Sequence, residues 1–208
     1  MAIPFQRESE ETDRLLALSD GVIAIAITLL VLEITVPEVP AGTPPSVVAD
    51  LVFEQSQEYV GYVLSFLVIG LYWTLHRRIF IHIEAHDRGI VWLNLLFLLL
   101  VAFVPYGTSV FSAYPNRLGV SVIAAVLALT GFSLAALWIH ALRKQLLEAG
   151  LASRTVGIQA ARFLASPLVF AGSIAVASVD PRWAMLSWVL LIPINGALNS
   201  RLVKSVAE

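Results

Sequence analysis

Six long apolar runs dominate the chain, at roughly 15–36, 58–79, 90–112, 119–142, 158–178 and 183–203. Each meets the length of about 17–25 residues that a helix needs to cross a bilayer. The segments between them carry turn chemistry: PEVPAGTPP after the first run, AYPN after the third and VDPR between the last two. The pattern predicts an all-α integral membrane bundle of six transmembrane helices in one domain, residues 1–208, with no internal repeat and no separate soluble domain. Pro167 and Pro193 fall inside the fifth and sixth runs. A bend is expected at each, which a bundle tolerates because neighbouring helices satisfy the freed carbonyls. The first run is read as a span rather than a cleaved signal, because it is too long and follows the acidic segment ESEETD.

The first run is polar in an unusual way: RLLALSDGVIAIAITLLVLEITVP keeps Ser19, Asp20 and Thr28 among its leucines and isoleucines. At 3.6 residues per turn, Gly21, Ile25, Thr28 and Leu32 fall on one stripe that also includes Arg14. Ser19 and Asp20 point elsewhere, towards neighbouring helices. Ionisable groups inside a membrane are expensive and usually functional. Partners for Asp20 are at hand: Trp73 and His76 at i, i+3 near the end of the second run, and Asn94 near the start of the third, at similar depth. Asp20 accepting from indole, imidazole or amide N–H groups would lock the first three helices together. Taken singly, Gly21, Ile25 and Leu32 are ordinary packing residues, Thr28 bonds back to its own helix, and Trp73 with His76 marks a membrane boundary.

Composition agrees with the pattern. The chain is 58% hydrophobic and 13% charged, against about 45–50% and about 25% in soluble domains, and its mean hydropathy is +0.83. Net charge is −2 with no basic tail, so a nucleic-acid partner has no support. The absence of cysteine removes disulfides and thiolate sites. Lys and Arg divide unevenly between the two sides. Arg7, Arg14, Arg77, Arg78, Arg88, Arg143, Lys144, Arg154, Arg162, Arg201 and Lys204 share one side, and only Arg117 and Arg182 lie on the other. The positive-inside rule then places both termini in the cytoplasm of a multi-pass protein surrounded by membrane lipids. No catalytic residue is identified. The spacing of Glu84, His86 and Asp87 suggests a metal site only weakly, since no HExxH-type helix motif is present, and no metal is expected.

Arg14 to Asp20, RLLALSD, resembles the RxxxFSD signature of the transmembrane protein 175 family of potassium channels, with Leu18 in place of the phenylalanine. SFLVIGLYWTLHRRIF (Ser65 to Phe80) and WLNLLFLLLVAFVPYGTS (Trp92 to Ser109) are similar to that family's second and third helices. The resemblance implies a homotetramer, particularly like the short prokaryotic members, with the first helix of each subunit lining a central pore and the cell (inner) membrane as its host. It implies a hydrophobic constriction at Ile25, a selectivity-contributing threonine at Thr28 and an outer apolar ring at Leu32. Arg14, Ser19, Asp20, Trp73, His76 and Asn94 form the expected polar lock. The implied function is a channel modestly selective for potassium over sodium, needing no cofactor, with potassium ion as the permeant species. The acidic first loop, with Glu38, Asp50, Glu54 and Glu58, would concentrate cations at that mouth. The competing class is a secondary transporter or proton-coupled cation carrier. It predicts broken helices at matching positions of two inverted halves, and Pro105, Pro167 and Pro193 do not make such a pair.

Overall fold

The computed structural model is a helical bundle. Its helices are α1 (Pro4–Leu29), α2 (Pro45–Glu54), α3 (Ser56–Ile81), α4 (Arg88–Ala113), α5 (Arg117–Arg143), α6 (Ser153–Ala177), α7 (Pro181–Trp188) and α8 (Leu191–Ala207). The structure describes residues 4–85, 87–148, 150, 151 and 153–207; His86 and the side chains of Arg7, Arg201 and Lys204 lie outside the described residues. Among the described residues the only β pairing is an isolated antiparallel bridge between Ile83 and Leu147. Five helical segments among the described residues are long and apolar enough to cross a membrane: Thr12–Glu33, α3, α4, α5 and α6.

The sixth run, where a bend was expected at Pro193, is broken rather than bent. It folds as α7 and α8, broken at Val189 and Leu190. Pro193 is the cause: it has no N–H to give the Val189 carbonyl four residues back, and its ring crowds that position. The Val189 carbonyl instead accepts the Ile192 N–H at 3.1 Å, and the N–H groups of Val189 and Leu190 turn back to Leu186 and Ser187, each at 3.1 Å. Pro167, by contrast, lies inside α6 without ending it.

The first run also differs from expectation at its far end. Regular α-helix stops at Leu29, a 3₁₀ turn continues through Leu30–Glu33, and Ile34 is already extended. A polar collar holds the chain there. The Thr35 N–H donates to Glu58 Oε2 at 2.8 Å, the Thr35 hydroxyl donates to the same carboxylate at 3.1 Å, and the Gln55 side-chain amide donates to the Thr35 carbonyl. The loop expected between the first two spans contains the exposed helix α2, opened by Pro45 at its first position.

The centre of the molecule is α5, whose apolar window is 67% buried, against 22% for α1. Leu127, Leu137 and Trp138 on α5 face Phe163 and Phe170 on α6 and Phe97 on α4 within one continuous core. In a bilayer, close packing rather than water exclusion holds such faces together. Gly131 permits a close approach of α3 and α6 to α5: a methyl group there would meet Tyr72 Oη at 2.8 Å and Pro167 Cδ at 2.9 Å.

At one end of the bundle the α3–α4 and α5–α6 connections are clasped. The Glu148 N–H donates to the His82 carbonyl at 2.9 Å, and the Glu84 N–H to the Leu146 carbonyl at 3.0 Å. His82 Nδ1 meets Glu148 at 2.6 Å and His140 Nε2 meets Asp87 at 3.0 Å. Asp87 also caps α4 by accepting the Ile90 N–H at 2.9 Å. That hydrogen bond holds the Asp87 carboxyl below its ordinary value of 3.8; partial burial opposes the shift, and His140 reinforces it.

Candidate functional site

The two faces of α1 have different fates. Ile23, Ala26 and Leu30 are buried against the bundle, Ala26 at 2% exposure. Gly21, Ile25, Thr28 and Leu32 are all exposed, Ile25 at 60% and Leu32 at 71%. Helical periodicity puts these four on one line from near the membrane boundary to the 3₁₀ turn, and no described residue covers them. The tightening of the helix after Leu29 does not rotate Leu32 inward. Nothing blocks close approach at Gly21, where a methyl group would meet open space.

Thr28 is the one hydroxyl on this line. Its Oγ1–H donates to the Ile25 carbonyl at 2.8 Å. The proton is therefore spent on the backbone, and the oxygen lone pairs remain for an outside donor or a cation. The line as a whole offers apolar rings on either side of one ring of hydroxyl oxygens, wherever several copies bring it together.

The polar residues of the other faces form two separate contacts instead of one cluster around Asp20. Asp20 is exposed and, among the described residues, accepts only the Trp73 indole N–H, at 2.7 Å. The Arg77 guanidinium lies over the same indole ring, 5.4 Å from its centroid. The fully buried contact belongs to Ser19. His76 Nε2 lies 2.8 Å from Asn94 Oδ1, the Asn94 amide donates to Ser19 Oγ at 3.1 Å, and the Ser19 hydroxyl donates to the Leu15 carbonyl at 2.8 Å. Each link has one donor and one acceptor, which fixes the proton of His76 on Nε2 and leaves Nδ1 as a buried lone pair without a partner. Phe97 stacks on the imidazole at 5.1 Å with a 12° tilt, and Phe80 lies at 4.6 Å.

Expectation and geometry thus part on two points. Neither His76 nor Asn94 bonds to Asp20, because the 100° step between Ser19 and Asp20 turns one into the α3–α4 seam and the other towards the rim. Arg14 is exposed and takes no part in either contact. The aromatic bracket of His76 was legible only as i, i+4 spacing to Phe80. A second buried pair, Ser65 with Thr108 at 2.7 Å, joins α3 to α4 further along the same seam. Among the described residues no group of three His, Asp or Glu could hold a metal ion.

Comparison with known proteins adds to this geometry. Residues 14–105 match the family model described as the endosomal/lysosomal potassium channel TMEM175. A potassium channel of Streptomyces collinus is 39% identical over 140 residues, 64% of this chain and 66% of that protein. A potassium channel of Chamaesiphon minutus is 38% identical over 138 residues, 64% of this chain and 68% of that protein. The chain thus matches about two thirds of the length of these relatives. The crystal structure of a lysosomal potassium-selective channel TMEM175 homologue from Chamaesiphon minutus superposes with a TM-score of 0.78 at 29% identity, covering 91% of this chain and 99% of that one.

Proposed function

The chain belongs to the TMEM175 family, and on that premise we propose that it conducts potassium through a pore lined by α1 of several copies. It is a multi-pass membrane protein of an ion-channel family, not of an enzyme family. The observation that carries the reading is the uncovered line Gly21, Ile25, Thr28, Leu32 on the least buried of the spans. One subunit cannot wrap a single line around an aqueous path, so cyclic assembly, in this family reading a homotetramer, completes it.

In that assembly a ring of Ile25 side chains narrows and dries the path, and hydrophobic constrictions gate by dewetting. A ring of Thr28 oxygens replaces part of a passing cation's water. Potassium sheds water more readily than sodium, so such a pore favours potassium modestly, with no cofactor. On the count of arginines and lysines both termini lie in the cytoplasm, and in this family reading the host membrane is the cell (inner) membrane. The carrier reading lacks the paired broken helices it requires, since α3 and α4 run unbroken.

The test is flux from purified protein in liposomes under a potassium gradient, with sodium as comparator. Channel-like flux that is larger for potassium supports the proposal. Saturable, slow exchange would overturn it.

A further inference from the structure

Arg162 was grouped above with the loop arginines. In the structure it lies nine residues inside α6, is only 5% exposed, and makes one long hydrogen bond, from Nη1 to Asn199 Oδ1 of α8 at 3.3 Å. Its Nε has no partner, and on the same face of α6 neither Gln159 Oε1 nor Ser166 Oγ has one. No carboxylate among the described residues pairs with this guanidinium. The charge that reaches it is that of Arg78 on α3, of like sign. A buried cation facing another cation is strongly destabilising unless an anion joins them.

Between α3 and the α7–α8 segment lies a groove of about 450 Å³. Leu64, Leu67 and Leu71 of α3 form one wall, and Trp188, Ile192 and Asn195 the other. Arg78 follows Leu71 by seven residues and so continues the α3 wall. Asn199 follows Asn195 by four and continues the α8 wall. At about 1.5 Å per residue, Leu71 to Leu64 lies roughly 10–21 Å along α3 from Arg78, whereas one leaflet of hydrocarbon is about 15 Å deep. Asn195 Oδ1, on the groove wall, is a further buried acceptor without a partner.

We infer that this seam is a binding site for an anionic phospholipid of the leaflet on the arginine-rich side. The phosphate sits between Arg162 and Arg78, and one acyl chain lies in the α3–α8 groove. The combination selects the ligand: phosphate oxygens accept from the two guanidinium groups, the glycerol hydroxyls of a phosphatidylglycerol headgroup can donate to Gln159 and Ser166, and only an acyl chain matches an otherwise apolar groove at that depth. A free phosphate would satisfy the arginines and leave the groove empty.

The test uses the full chain purified in detergent, with native mass spectrometry to count retained phosphatidylglycerol and thermal unfolding in added phosphatidylglycerol, phosphatidylcholine or inorganic phosphate. The wild type should retain phosphatidylglycerol and gain thermal stability from it, and from neither of the other two. Arg162→Gln and Arg78→Gln should each lower retention roughly tenfold or more, as expected for loss of a charge-assisted hydrogen bond. Leu67→Trp leaves both arginines in place on an exposed side chain, so it folds if Arg162→Gln does not. It should displace the lipid by filling the groove. Retention by Arg78→Gln and Leu67→Trp equal to that of the wild type, or stabilisation by inorganic phosphate as large as by phosphatidylglycerol, would overturn the inference. So would loss of oligomer in Leu67→Trp, which would make the groove an interface between copies.

Discussion

Replacing Asn94 by leucine tests whether the Ser19 contact, and not the Asp20 contact, ties α1 to the bundle. Asn94 is fully buried and is the only partner of His76 Nε2 among the described residues. Leucine keeps the volume and strands that N–H between Phe80 and Phe97, where no water reaches it. A stranded buried donor costs about 1–3 kcal/mol, whereas a shared hydrogen bond between membrane helices is worth on average about 0.6 kcal/mol. Stranding therefore dominates, and Asn94→Leu should destabilise by about 1–3 kcal/mol. Ser19 loses less, because its hydroxyl keeps the Leu15 carbonyl. Pairing the change with His76→Phe removes the stranded donor and leaves an aromatic ring in an aromatic bracket. The double variant should recover to within about 1 kcal/mol of wild type, a strongly non-additive cycle. Asp20→Ala, by contrast, frees a Trp73 indole that lies near the rim, and should cost at most about 1 kcal/mol. The assay is equilibrium unfolding in mixed micelles, followed by tryptophan fluorescence or helicity. Additive effects of Asn94→Leu and His76→Phe, or an Asp20→Ala variant less stable than Asn94→Leu, would refute the reasoning.

Other perturbations give equally distinct outcomes. Ile25→Asn puts hydrated amides at the narrow ring, so single-channel conductance should rise and the reversal potential in paired potassium and sodium solutions should show weaker potassium preference. Ala26→Ser, on the buried face, should change neither. Gly131→Ala drives a methyl into Tyr72 and the rigid Pro167 ring, costing about 1–3 kcal/mol by overpacking, visible as a lower melting temperature with the fold retained. The Asp87 carboxyl is held below its ordinary value of 3.8, so the folded state binds fewer protons there than the unfolded chain. Its stabilisation is fully present above that ordinary value and fades as pH falls through the lowered one. Melting temperature against pH should therefore drop on the acid side in the wild type, and drop less in Asp87→Asn.

Much of this structure could be read in the chain, for reasons that differ by element. The orientation of α1 follows from 3.6-residue periodicity acting on a helix with one buried face, so the separation of Ile25 and Thr28 from Ala26 needed no tertiary information. Five spans were legible because runs of more than twenty apolar residues have few alternatives in a bilayer. In the sixth run a bend at Pro193 was legible, but the missing proline N–H opens the helix four residues earlier, where the Val189 carbonyl takes the Ile192 N–H instead. Arg162 was misplaced because a charge near a span end ordinarily belongs to a loop, and only packing against α8 carries it inside. The choice between Ser19 and Asp20 as the buried anchor depends on which side of α1 meets α4, which no spacing within α1 records. The clasp of His82 with Glu148 and His140 with Asp87 joins residues more than fifty positions apart and has no local signature.

The central claim is that the uncovered line of α1 faces the conduction path. Because the native chain contains no cysteine, single cysteines can be placed without background. The decisive measurement is current through channels carrying Thr28→Cys or Ala26→Cys, before and after a small water-soluble thiol reagent. Current through Thr28→Cys should fall on modification while current through Ala26→Cys stays unchanged; block of Ala26→Cys with Thr28→Cys indifferent would contradict the account.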